Sequence, residues 1–147
     1  MRPTVSEQLA GTARILREVV APAVDGAYPA DILGGLAATL DALAGGWADV
    51  PSFLAWDAER TIGLLADVAT DLDEGHRARL DAVSAEEPDD ARDVRGLEAH
   101  HARARSLLAD VVASGPPEAL GAALADHARE RAARYPLTAV QRMPGQR

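Results

Sequence analysis

Apolar residues recur three and four positions apart along nearly the whole chain, which is the spacing of one face of an α-helix. Thr4 precedes Glu7 by three residues, a capping-box spacing that predicts a first helix over about Thr4–Ala21. Its stripe holds Val5, Leu9, Leu16, Val19 and Ala23, and Pro22 ends or kinks it. Pro22, Gly26 and Pro29 mark a turn over residues 22–30. A second helix is expected from about Ala30 to Trp47, on the seam Leu33, Leu36, Leu40, Leu43 and Trp47. A third starts near Pro51 or near Asp57 and carries Leu54, Ala58, Thr61, Leu65, Val68 and Leu72. Gly75 is a candidate stop, with Leu80 and Val83 as a weak continuation.

Between Asp81 and Asp93 the pattern gives way to six acidic residues and Pro88, the mark of a solvated connection. A fourth helix is predicted over about Asp90–Ala113, with the stripe Val94, Leu97, His101, Ala104, Leu108 and Val111. The run Ser114-Gly115-Pro116-Pro117 breaks it. A fifth runs over about Pro117–Arg134, through Leu120, Leu124, His127, Ala128 and Arg131. No segment has a strand's period of two. The fold class is therefore all-α, an antiparallel bundle of four to five helices over residues 1–135, with a loose tail at 136–147.

Composition narrows the chemistry. Hydrophobic residues make up 48% of 147, enough for one folded core, and only five are aromatic. The net charge of −8 disfavours nucleic acid and anionic membrane surfaces as partners. No apolar run approaches the ~20 residues of a spanning helix, and the first residues lack a signal peptide's apolar stretch, so a cytoplasmic location is expected. The absence of Cys removes disulfides and thiolate chemistry. All fifteen basic residues are Arg, which removes Schiff-base chemistry and the lysine of a phosphate loop.

Two groups of residues stand out. His101 and His127 each occupy a place where the stripe asks for an apolar side chain. They lie about thirteen and eleven residues either side of the break at 114–116, so antiparallel helices bring them level. Glu98 precedes His101 by one turn and Arg131 follows His127 by one turn, which pairs Glu98 with Arg131. The commoner outcome of this pattern is a structural one, hydrogen-bonded histidines and an inter-helix ion pair worth ~0–1 kcal/mol if exposed. The alternative is a single-metal site of His101, His127 and Glu98, in a small bundle enzyme or metal-binding protein. A full di-metal site is incomplete, because Leu124 stands where a second Glu belongs. No cofactor is otherwise implied.

The other group is aromatic. Trp47, Phe53 and Trp56 fall within ten residues. Residues 48–56 either fold over the bundle end and bury both Trp, or leave Trp56 exposed beside Phe53 as an anchor for a protein partner. Arginines 129, 131, 134, 142 and 147 gather near the C-terminus, where cations suit a helix dipole.

The stretch PTVSEQLAGTARILREVVAP at Pro3–Pro22, followed as far as LDALAGGW, resembles small helical bacterial proteins. The shared pattern is a leading Pro, a Leu-rich helix, Val-x-Pro and a second Leu/Ala-rich helix. Some of those proteins accompany aminoglycoside-phosphotransferase-like kinases that act on hydroxyacyl-CoA substrates. The resemblance covers the N-terminal third and carries no catalytic motif. It implies a non-catalytic accessory protein that supports a larger enzyme. Without a complete catalytic set, an interaction protein that self-associates or binds a protein partner is the expected function.

Overall fold

The computed structural model describes residues 2–86 and 93–137, and among these all regular structure is helical. Six α-helices follow in order: α1 (Val5–Ile15), α2 (Ala27–Gly46), α3 (Val50–Asp67), α4 (Glu74–Ser84), α5 (Val94–Ala113) and α6 (Glu118–Arg134). The all-α bundle class read from the periodicity is the class observed. Of the acidic connection expected over Asp81–Asp93, residues 81–84 belong instead to α4 and 87–92 lie outside the described residues; of the tail expected over 136–147, Pro136 and Leu137 form a turn and the rest lies outside the described residues. Packing groups the described chain into two compact units. One runs to Val50 and includes Pro136 and Leu137; the other is Pro51–Tyr135.

In the first unit, α1 starts as the capping box requires. The Thr4 side chain accepts from the Glu7 amide, and the Glu7 carboxylate accepts from the Thr4 amide at 2.7 Å. The first helix does not run on to Ala21 as an α-helix. It widens to a π turn over Leu16–Val20 and tightens to a 3-10 turn over Ala21–Ala23. Pro22 offers no amide and its ring crowds the carbonyl four residues back, so the ladder changes register before it. Helix α2 begins three residues earlier than the periodicity suggests, because Gly26 takes φ 103° and turns the chain directly into it. Pro29 fits this first turn, where an amide has no helical partner. Along α1 and α2 the wholly buried apolar side chains are only Ala13 and Ala37. Leu9, Leu16, Leu33 and Leu40 are half-buried. Near the end of α2, a Cβ on Gly46 would stand 2.4 Å from the Pro136 carbonyl oxygen, so this close approach needs glycine.

The second unit contains the large core. Leu64, Leu65 and Val68 from α3 and its end pack with Leu72, with Leu80 of α4, with Leu107, Leu108 and Val111 of α5, and with Leu120 of α6. Helix α3 starts at Val50, the first of the two starts considered, with Pro51 inside its first turn. It stops at Asp67, earlier than Leu72, in a 3-10 turn over Ala69–Asp71. The Arg77 side chain donates to the carbonyls of Ala69 at 3.2 Å and Leu72 at 2.7 Å, satisfying groups the helix end leaves open. Asp73 then caps α4 by accepting from the His76 amide at 2.8 Å. Thus Gly75 stops nothing, and His76 lies in a helix of its own. Gly115, at φ 97°, makes the turn between α5 and α6. Among the described residues no helix is long and apolar enough to cross a membrane.

Candidate functional site

The second unit holds a polar cluster built on a residue that the sequence reading treats only as a possible helix start. Asp57 lies on the α3 face that also buries Phe53, Ala58 and Thr61, and its side chain has no exposure. Burying a carboxylate is costly unless donors replace its water. Here α5 supplies His101, whose Nε2 lies 2.6 Å from Asp57 Oδ2. Helix α6 supplies Arg131, whose Nε donates to the same oxygen at 2.9 Å, and His127, whose Nε2 is 3.1 Å from Oδ1. Thr61 Oγ1 is 3.5 Å from His127 Nε2. Burial alone would raise the Asp57 pKa. The hydrogen bonds from His101 and Arg131 outweigh it and hold the carboxyl at about 2.

His127 is 1% exposed. Burial pushes its pKa down; the Asp57 charge opposes this, while Arg105, Arg131 and Arg60 reinforce it. At neutral pH this imidazole is therefore uncharged, beside an ionised Asp57. Among the described residues, Asp57 Oδ1 and His127 Nδ1 are buried without a hydrogen-bond partner. The His127 ring lies against Trp56, centroids 5.7 Å apart.

The structure thus brings His101, His127 and Arg131 together and leaves Glu98 out. Glu98 is exposed, and Arg131 bonds Asp57 instead. The metal set of Glu98, His101 and His127 is not assembled. Among the described residues no group of three or more His, Cys, Asp or Glu is placed to hold a metal ion. The Arg131 guanidinium on Asp57 Oδ2 opposes a further cation at that oxygen. Asp73 caps α4, and its Oδ2 also lies 2.6 Å from His76 Nδ1. His100, one residue before His101 and off the predicted stripe, is buried and lies 3.3 Å from Glu86, which also accepts from Arg103. Clefts of about 240 and 280 Å³ flank Glu86, and neither is lined by Asp57, His101 or His127.

The aromatic residues do not form one exposed anchor. Phe53 is buried, its ring 5.2 Å from Tyr135 and 6.0 Å from Trp56. Trp56 is half-buried, and the Arg134 guanidinium lies over it at 4.4 Å. Trp47, in the first unit, is 36% exposed. Arg131 and Arg134 thus spend their charge on Asp57 and on the rings of Phe53 and Trp56.

Chemically, an Asp–His pair can orient an imidazole as a base. Such a pair needs a nucleophile or substrate group at its other nitrogen, and the hydroxyl in this cluster, Thr61, approaches His127 instead. The arrangement suits a clamp that fixes α3, α5 and α6. The chain has no significant match among protein-family models, curated proteins or solved structures.

Proposed function

We propose that this chain is a non-catalytic helical interaction protein, with the α1–α2 hairpin as its docking element. One observation carries the reading. The exposed large apolar side chains of the described residues are Val5, Ile15, Val19, Tyr28, Ile32, Leu36, Trp47 and Val112, and all but Val112 belong to the first unit. That unit buries little of its own apolar surface, and a patch of this kind marks an interaction site. The second unit, with its aliphatic core and its Asp57 clamp, supplies the stable body. The N-terminal resemblance adds a class of heterologous partner, a larger kinase-like enzyme directed at acyl-CoA substrates, which this chain would support as an accessory protein.

The test is a photo-crosslinking residue in place of Ile32 in the full chain, expressed in its native cell. Adducts of defined mass are expected. A probe that yields none, with a surface position such as Glu118 as the control, overturns the reading.

A further inference from the structure

A helix in an isolated hairpin needs one apolar face, for its single neighbour. At roughly 100° per residue, the apolar arc of α1 and of α2 is about twice that wide. On α1 the seam toward α2 is Leu9, Ala13 and Leu16. Val5, Ile15 and Val19 form a second, exposed strip roughly 100° away. On α2 the seam is Leu33, Ala37 and Leu40, and Tyr28, Ile32 and Leu36 form a ridge at four-residue spacing, rotated by a similar angle. Both rotations run in the same sense along each helix's own axis. Because α1 and α2 are antiparallel, both strips fall on one side of the hairpin. The Arg17–Asp41 ion pair, whose residues are rotated the other way from each seam, closes the opposite side.

From this face we infer that the hairpin docks on the same hairpin of a second copy of the chain, forming a four-helix bundle. The inference rests on the interaction reading above and names its partner. Helices of four-helix bundles each touch two neighbours, which is what the doubled arcs provide. A two-fold axis lets one self-complementary face cover itself. The six exposed side chains offer on the order of 600 Å² per chain, near the ~800 Å² per partner of a standard interface. Residues 21–50 carry four Asp and no base, whereas residues 2–20 carry Arg2, Arg14 and Arg17 against Glu7 and Glu18, a net charge of +1. Laying α1 of one copy on α2 of the other keeps the acidic helix off its own copy.

The experiment measures the molar mass of the full chain by light scattering at high micromolar concentration. It is repeated for Ile32→Asp/Leu36→Asp and, should that variant lose helical circular dichroism, for Tyr28→Asp, which changes a side chain 76% exposed. Twice the chain mass is expected for the wild type, and half of that value for the variants. A monomeric wild type, or a dimer that persists in both variants, overturns the inference. The Ile32 photoprobe separates the two failures. A monomer that crosslinks to a different polypeptide ends self-association and keeps the interaction reading; a monomer without adducts ends both.

Discussion

Asp57 shows what a single side chain decides in this protein. Removing this carboxylate leaves the partly buried His101 and Arg131 without their shared partner and the buried His127 without its neighbouring charge. Asp57→Ala should therefore cost about 3–5 kcal/mol, read as a lower urea midpoint at unchanged slope. Its ionisation also makes stability depend on pH. The folded pKa of about 2 lies below the ordinary 3.8, so between those values the unfolded chain binds more protons. The contribution, about 2 kcal/mol, is complete above pH 4 and lost as pH falls toward 2. The pKa of His127 is likewise lowered, from 6.5, so below that pH the unfolded chain takes up a proton that the buried ring refuses, and stability declines with acid. Thermal melting followed from pH 8 downward should fall first below about pH 6.5 and again below about pH 4. A melting temperature level from pH 7 to pH 5 would contradict the first step. His101, His127 and Arg131 are legible in the sequence because each interrupts an apolar stripe. Asp57 is not, since Leu54 and Ala58 form a competing stripe one residue over and Asp is also a common helix start. The misreading of Glu98 follows, because one-turn spacing locates neighbours along a helix and says nothing of a third helix arriving opposite.

At the scale of elements, the periodicity locates helices well and their ends poorly. The break between α3 and α4 hides because Leu72, Leu80 and Val83 all enter the core and so prolong the apolar pattern across it. The Asp73 cap and the Arg77 bonds to two carbonyls end one helix and begin the next, and neither alters the hydrophobic rhythm. The close approach at the end of α2 gives a direct check. Gly46→Ala places a methyl group against the backbone of Pro136, where no flexible side chain can yield. It should destabilise the chain by about 1–3 kcal/mol despite Ala's better helix propensity. A variant as stable as the wild type in urea would show that residues 136–137 do not hold that position.

Over the whole molecule, apolar surface is unevenly spent. Among the described residues, both clusters of buried hydrophobic residues lie in Pro51–Tyr135, and none is centred on α1 and α2. Amide exchange should accordingly be slowest around Leu65 and Leu107 and faster along α1 and α2, where protection rises with protein concentration as hairpins pair. Equal, concentration-independent protection in both units would contradict this distribution. The division into two units is not legible from the sequence, because a stripe facing a large core and a stripe facing one neighbour have the same period.

The Asp57 clamp also has a consequence in time. It joins positions 44 and 74 residues apart along the chain, so it closes long loops. Such contacts should form once α3, α5 and α6 have assembled around them, late on the folding route. Weakening the clamp should then leave the refolding rate nearly unchanged and hasten unfolding. In stopped-flow urea jumps Asp57→Asn should shift the unfolding arm of the chevron and spare the folding arm. The carboxylate would act as a latch on the finished structure, setting how long each molecule stays folded.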